Sequence, residues 1–217
     1  MDSIVWLLLA LTLPILLFLL FYKVVSISFV KLGIPRSLVF FLFLSILLGS
    51  LINIPVWSSQ EVEPGGLFRW GHWFFFNPPE VGATIVAVNV GGALIPVLLS
   101  IYLLPKAPLL RTGLALAVVT VVAYSLSKVE PGVGITLPAF VPPLVSAGVA
   151  LILAWRRAAP VAYISGTVGT LIGADLLNLG ELIQMDGAFL SIGGAGVFDG
   201  IFLTGIIAAF LSPGDRP

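Results

Sequence analysis

The sequence predicts an all-α polytopic membrane protein with about seven transmembrane helices in one integral membrane domain, residues 1–217. Composition is the first observation behind this prediction, since 59% of the 217 residues are hydrophobic, only 9% are charged, and the mean hydropathy is +1.16. A soluble domain carries about 25% charged residues, so this chain lacks the polar side chains that a water-facing surface needs. The other two observations are a series of long apolar stretches and an uneven distribution of basic residues between them.

The apolar stretches are long enough for helices that cross a bilayer, which takes about 20 residues each. The first stretch has no basic segment before it and no small-residue cleavage site before Lys23, so we expect a retained span and not a signal peptide. We predict seven spans: Ile4–Phe21, Leu38–Ile54, Val81–Leu104, Thr112–Ser127, Pro138–Trp155, Pro160–Leu179 and Ile192–Leu211.

The basic residues lie mainly on one side of these spans. Connections one, three and five and the tail hold eight of the ten: Lys23, Lys31, Arg36, Lys106, Arg111, Arg156, Arg157 and Arg216. Because basic loops stay on the cytoplasmic side of a membrane, we expect the amino terminus outside, the carboxyl terminus inside, and the cell membrane as the location.

Composition also excludes several function classes. The formal net charge is +0, so the chain has no basic field that would attract nucleic acid. The sequence has no Cys and a single His, His72, which excludes thiol catalysis, disulfides, zinc–thiolate sites and a multi-histidine metal site within one chain. We expect neither a metal ion nor a cofactor.

The external connection 55–80 combines aromatic residues with polar ones. Its aromatic residues include Trp57, Trp70, Trp73, Phe68, Phe74, Phe75 and Phe76. Because such side chains gather at membrane interfaces, we expect an interfacial segment on the outer leaflet. A lid or a substrate-access element is the alternative interpretation.

Two acidic residues remain inside predicted spans, Asp175 in the sixth and Asp199 in the seventh. A carboxylate at membrane depth costs about 2.5–3.5 kcal/mol on insertion scales, so its presence favours a function. At 1.5 Å per residue, Asp175 is predicted roughly 6 Å and Asp199 roughly 10 Å from the outer ends of their helices. Adjacent antiparallel helices then bring both carboxylates to a similar depth, where they can meet.

Small residues beside these acids allow two transmembrane helices to approach closely. They recur every four residues, as Gly166, Thr170 and Ala174 in the sixth span and as Gly196, Gly200, Thr204 and Ala208 in the seventh.

Two amides are predicted at the level of the carboxylates. Asn89 lies eight residues into the third span, and Asn178 lies three residues after Asp175 on nearly the same helix face. A helix break at Gly91–Gly92 and Pro96 would free backbone carbonyls nearby. Both amides could support the carboxylates, and an interhelical hydrogen bond is the other interpretation.

The acid pair indicates more than one chemistry. Two carboxyl groups within ~3 Å cannot both ionise, so they share a proton. The ionised group can take a proton from water while the other donates one to a carbonyl oxygen, which is aspartyl proteolysis. The same pair could bind H⁺ or Na⁺ in a transporter or channel, hold a divalent cation with the two amides, or act as a clasp in a membrane assembly protein. Whether the chain is an enzyme stays open.

Three stretches carry a resemblance to a known family: NVGGALIP, IGADLLNLG and GGAGVFDGIFLTGI. They resemble a prokaryotic family of multi-pass membrane proteins that is described as a domain of unknown function. This resemblance implies a multi-pass membrane fold and no particular activity.

The Asp residues on consecutive spans are also similar to those of the presenilin and signal peptide peptidase proteases. In those enzymes both aspartates are catalytic, the second directly follows Gly-x-Gly, and a Pro-Ala-Leu motif lies close to them. The resemblance implies that Asp175 and Asp199 are the catalytic pair and that the substrate is a transmembrane helix, which enters laterally and unwinds near the glycines.

This sequence departs from that pattern at several positions. Gly194 and Gly196 precede the second acid as Gly-x-Gly-x-x-Asp, and Ala174 replaces the usual Tyr before the first. The nearest counterpart of Pro-Ala-Leu is Pro138-Ala139-Phe140, which precedes both aspartates in the chain. This sequence also has seven predicted spans, whereas those proteases have nine.

We predict a site of Asp175 and Asp199 supported by Asn89, Asn178, Gly194, Gly196, Gly200, Pro138, Ala139 and Phe140. The expected partners are the lipid bilayer and a transmembrane peptide, and a homo-oligomer remains open.

Overall fold

The computed structural model describes residues 2–59, 84–130, 134–184, 189–195 and 198–214, with residues 2–4 and 7–9 described by their backbone alone. Helices account for 73% of the described residues. Three helical runs are long and apolar enough to span a membrane, namely Ala10–Lys31, Leu109–Leu126 and Val141–Ile183. The prediction of a mostly helical membrane-type protein therefore agrees with the structure.

Eight α-helices form the body of the described chain. In chain order they are α1 (Asp2–Lys31), α2 (Arg36–Gly49), α3 (Ile95–Leu103), α4 (Leu109–Leu126), α5 (Val141–Ala154), α6 (Ala158–Thr170), α7 (Leu179–Ile183) and α8 (Gly200–Leu211). Wide π-helical turns precede α3 at Val90–Leu94 and follow α6 at Leu171–Leu176, and short 3₁₀ turns follow α3 and α5 at Leu104–Lys106 and Trp155–Arg157.

Five short strands lie between the helices. They are β1 (Asn53–Ser58), β2 (Ile85–Asn89), β3 (Lys128–Glu130), β4 (Gly134–Thr136) and β5 (Phe189–Ile192). Strand β2 is the centre of a three-stranded sheet, antiparallel to β1 and parallel to β5. Strands β3 and β4 pair antiparallel, with Lys128 opposite Thr136.

The strands correct three of the predicted spans. The second span was predicted to Ile54 but its helix ends at Gly49, and the third is a strand over Ile85–Asn89 before it becomes helical at Val90. The seventh was predicted from Ile192, whereas its helix begins at Gly200. Long apolar runs alone cannot distinguish a buried strand from a helix, which explains these differences.

Two further predictions about connections also change. Lys23 and Lys31 were predicted in a loop, and both lie in α1, which continues to Lys31. Of the aromatic connection 55–80, the structure describes only its start, where Trp57 lies in β1 and is 40% exposed. The rest of that connection, including His72, lies outside the described residues.

The run Val141–Ile183 contains a reversal of the chain, so α5 and α6 pack side by side. Ser146 on α5 donates to the carbonyl of Ala162 and is 2.8 Å from the hydroxyl of Ser165, both on α6. These partners lie at similar distances on either side of Trp155–Arg157, which places the reversal at that turn.

Helix α6 is the centre of the bundle. Twelve of its thirteen residues are buried, and it packs against α3, α4, α5 and α8. Small side chains allow this close packing: a Cβ at Gly169 would lie 2.9 Å from Val119 of α4, and a Cβ at Gly166 would lie 3.1 Å from Thr204 of α8. The closest approach is at Gly205, where a Cβ would overlap the hydroxyl of Thr167.

The two ends of the bundle differ. At one end, called here the basic end, Lys31 donates to the carbonyls of Phe210 and Ser212. In the same region Lys106 donates to the carbonyl of Leu32, and Arg157 donates to the carbonyl of Lys106. The other end, called here the sheet end, carries the five strands. Basic side chains near a helix carboxyl terminus also interact favourably with its dipole.

We expect Gly205→Ala to destabilise the protein, because the added methyl group has no space between α8 and Thr167. Overpacking of this kind costs about 1–3 kcal/mol. The control is Gly148→Ala on α5, where a Cβ meets nothing within 4 Å. Thermal unfolding in detergent should show a lower midpoint for Gly205→Ala and an unchanged or higher one for Gly148→Ala. Equal midpoints for the two variants would contradict the packing described here.

Candidate functional site

Asp175 lies in the π-helical turn that ends α6. Within this turn Gly173 packs directly on the backbone of α4, where a Cβ would overlap the carbonyl of Thr120. Asn178 holds the end of the turn by donating to the carbonyls of Gly173 and Ala174, and to Ser127. Single π-turns inside helices are frequent at functional sites.

Asp199 is the N-cap residue of α8. Its side chain accepts a hydrogen bond of 2.8 Å from the backbone N–H of Ile201, and the N–H of Ala195 also faces it. Aspartate is a preferred residue at this position because it accepts from otherwise unpaired N–H groups of the first turn. The prediction that Asp199 lies seven residues inside a helix is therefore wrong, since β5 and a turn precede it.

Both acids line one cavity of about 230 Å³ at the sheet end, which we call the dyad cavity. Its walls come from the segment after β4, from the end of α6 and from the start of α8. The lining residues are Ile135, Leu137, Pro138, Ala139, Thr170, Ala174, Asp175, Ala195, Phe198, Asp199, Gly200, Ile201, Leu203 and Thr204. A water molecule occupies about 30 Å³ in the liquid, so the cavity has room for several.

The two carboxyl groups are close enough for the charge of Asp199 to act on Asp175. Both are partly buried, and backbone N–H groups face each of them: Gly193 faces Asp175, and Ile201 and Ala195 face Asp199. Backbone donors fix the orientation of a carboxylate without adding another charge. The arrangement is a pair of acids that line one small cavity and face backbone N–H groups.

The segment Pro138-Ala139-Phe140 divides between the cavity and the surface. Pro138 and Ala139 line the dyad cavity together with both acids, whereas Phe140 is 70% exposed. The chain brings this segment to the acids through the β3–β4 pair, whose last strand ends at Thr136.

The predicted glycines have different roles. Gly200 lines the cavity, but a Cβ there would make only ordinary contacts at 3.8 Å. Gly194 lies in a tight turn, where a Cβ would come within 2.8 Å of Ser191, and Gly196 lies outside the described residues. The more demanding position is Gly193, which has φ +73° and would bring a Cβ within 2.7 Å of Ala93. Gly193 directly precedes Gly194 in the sequence, and this glycine pair is the signal that indicates a tight turn here. Of the pair, only Gly194 is among the predicted site residues.

The two amides pair with other groups than the acids. Asn89 is fully buried; it donates to the Ser50 carbonyl and to Asn53, and it accepts from the backbone N–H of Gly92. Asn89 therefore joins β1, β2 and the π-turn before α3. The bonds of Asn178 described above are likewise to groups other than the two carboxylates. Neither amide is among the described residues that line the dyad cavity.

A row of buried hydroxyl groups extends from the dyad cavity along α6. The row consists of Tyr163, Thr167 and Thr170, which are at most 1% exposed and share one helix face at positions i, i+4 and i+7. The hydroxyls of Tyr163 and Thr167 lie near each other, and apart from this contact none of the three oxygens has a hydrogen-bond partner among the described residues. Thr170 also lines the cavity, so the row begins at the acids and continues toward the basic end. A buried, unpaired polar group in a native structure requires an explanation.

No group of three or more acidic or histidine side chains that could hold a metal ion occurs among the described residues.

The fold and this site define a class of helical membrane-type proteins with an acid pair at one end of the bundle. The sequence profile of the family named Protein of unknown function (DUF1614) matches residues 47–211, and the chain belongs to this family. The matched region contains the whole dyad cavity and begins after α1. No curated protein and no solved structure matches the chain.

These comparisons agree with the predicted membership in a family of unknown function. They give no support to the resemblance to presenilin and signal peptide peptidase. Any statement about activity therefore has to come from the geometry of the site.

Proposed function

We propose that the protein is an intramembrane aspartyl protease that cleaves transmembrane helical substrates with Asp175 and Asp199. The observation that carries this proposal is that both carboxyl groups, together with Pro138 and Ala139, line one cavity. Apart from the two acids, the cavity offers neither a nucleophilic thiol nor a described metal cluster. A pair of carboxyl groups is sufficient for peptide hydrolysis, because one activates water and the other protonates the carbonyl oxygen.

The hydrogen bonds suggest which acid has which role. Asp199 accepts from Ile201 and faces the N–H of Ala195, and such donors stabilise an ionised carboxylate. We therefore assign Asp199 as the base that takes a proton from water. Asp175, which faces the backbone N–H of Gly193, is assigned as the acid that protonates the peptide carbonyl oxygen. When the C–N bond of the resulting gem-diol breaks, Asp199 gives its proton to the leaving amine nitrogen and a hydroxyl of the diol returns a proton to Asp175, so both acids regain their starting states.

The proposed setting is the cell membrane, with seven crossings, the amino terminus outside and the carboxyl terminus inside. Support comes from the clustering of Lys31, Lys106 and Arg157 at one end, because basic groups favour the cytoplasmic side. Helices α2, α3 and α8 are short, and each is extended at the sheet end by a strand or turn. Ile85, Val86 and Ala87 of β2 are buried in protein, and only such protected strands are tolerated at membrane depth.

We expect two engineered cysteines to report opposite sides of the membrane. The chain has no native Cys, so Ser37→Cys at the basic end and Glu130→Cys at the sheet end each give a single label site. Both positions are exposed. An impermeant maleimide should label Glu130→Cys in sealed right-side-out vesicles and Ser37→Cys only after lysis. The reverse pattern would overturn the proposed orientation.

We expect Asp175→Asn and Asp199→Asn each to reduce cleavage of a transmembrane peptide by roughly 10²–10⁴-fold, since each removes one general acid or base. The measurement uses purified full-length protein and a set of fluorescent helical substrates in lipid discs. The control is Glu181→Gln, which removes an exposed acid on α7. Cleavage that persists in either Asp variant would contradict the proposal. Failure of the native protein to cleave any of the helical substrates would also contradict it.

Proton-coupled transport is a second candidate, and the hydroxyl row favours it. Water molecules bound to Thr170, Thr167 and Tyr163 would extend the dyad cavity along α6 toward the basic end. Such a path would allow the acids to exchange protons across most of the bundle, as carboxylate relays do in transporters. A protease needs water only at the carboxylates and has no use for this extension.

We expect Thr167→Val to separate the two candidates. Valine keeps the shape of threonine but removes the hydroxyl, which lies near the Tyr163 hydroxyl. For a transporter, Asp-dependent proton uptake into proteoliposomes should fall about tenfold with this variant, as expected for loss of one hydrogen bond in the relay. For a protease, the native protein should show no Asp-dependent uptake, and Thr167→Val should keep its cleavage activity.

A further inference from the structure

A second cavity lies at the opposite end of the bundle from the acids. It has a volume of about 470 Å³ and lies between α1 and α2. Four of its lining residues are polar, namely Tyr22, Ser26, Lys31 and Arg36. The cavity belongs to neither the dyad cavity nor the hydroxyl row, and the proposed function makes no use of it.

The described part of the cavity wall is positively charged. It contains two cations, Lys31 and Arg36, and no carboxylate among the described lining residues. The Lys31 ammonium is held in place by the carbonyls of Phe210 and Ser212, which leaves one of its three N–H groups for another acceptor. Arg36 is exposed and makes no hydrogen bond or ion pair to a described residue.

The start of α2 also lies at this cavity. The helix begins at Arg36, and the residue before it, Pro35, provides no side-chain cap for the first N–H groups. Unpaired N–H groups at the start of a helix favour a bound anion. Lys31 of α1 and Arg36 of α2 therefore bring positive charge to one cavity from two helices.

The remaining wall is apolar. It includes Ile27 and Val39, and Val30, which is 37% exposed on the outer surface of α1. That surface carries many exposed large hydrophobic residues, among them Leu19 and Leu20, and faces lipid in a membrane protein. A ligand that fits such a cavity has an anionic group at the polar side and hydrocarbon at the apolar side.

We propose that the cavity between α1 and α2 binds a phosphate group through Lys31 and Arg36. The planar guanidinium and the ammonium are the side chains that bind phosphate oxygens best. A phosphate group comes either from an anionic phospholipid or from free phosphate. The apolar wall favours the phospholipid, because basic pockets between membrane helices bind lipid headgroups in this way.

The test is a binding titration of purified full-length protein in neutral detergent, followed by native mass spectrometry. The three probes are phosphatidylglycerol, diacylglycerol with the same acyl chains, and inorganic phosphate. We expect saturable binding of phosphatidylglycerol at one site and none of diacylglycerol. Binding of inorganic phosphate at similar affinity would identify free phosphate as the ligand and would still support the site.

The matched variants are Arg36→Gln and Arg111→Gln. Both remove an exposed arginine, but only Arg36 lines the cavity. Arg36→Gln should weaken phosphatidylglycerol binding by roughly tenfold, as expected for loss of a charge-assisted hydrogen bond. Arg111→Gln should change it less than about twofold. Equal losses in both variants, or equal binding of diacylglycerol, would overturn the proposal. Lys31 is left intact because it also holds the end of α8.

Discussion

The structure depends on the close approach of α6 to its neighbours. In a bilayer the lipid tails are as apolar as the helix side chains, so helices associate through tight packing and hydrogen bonds and not through exclusion of water. Helix α6 satisfies this requirement with Ala, Gly, Ser and Thr on nearly every face, and its contacts with α4 and α8 leave no space for one more methyl group at Gly169 or Gly205. Ser146 and Ser165 add a buried hydrogen bond to α5.

This tight packing also explains the position of the acid pair. Gly173 continues the contact between α6 and α4 into the π-helical turn, and the wider turn places Asp175 beside the start of α8. Helix α8 cannot extend further toward the sheet end, because the chain there forms β5 and pairs with β2. Two helices that end next to each other leave a polar cavity, and the sheet satisfies backbone groups that the missing helical turns would have paired.

The two candidate functions differ in where water must reach. Proteolysis requires water at the carboxylates alone, whereas transport requires it along the hydroxyl row of Thr170, Thr167 and Tyr163. The phosphate site proposed between α1 and α2 is independent of both, since it lies at the basic end and on elements that precede most of the family-matched region. Lys31, Lys106 and Arg157 therefore lie at the end of the bundle opposite the acid pair.

The sequence by itself determined the helical membrane class and the family, because composition depends only on residue type. The cost of burying charge singled out Asp175 and Asp199 as candidates, and both line one cavity. It also identified Pro138 and Ala139, which reach the same cavity. Tertiary structure decided the rest. Apolar runs did not distinguish β2 and β5 from helices, so the depth assigned to Asp199 was wrong, and the hydrogen bonds of Asn89 join strands and a turn instead of two helices. The roles of Gly193, Gly205 and the hydroxyl row depend on contacts between segments that are distant in sequence. The residue pattern of one segment does not show which other segment will pack against it.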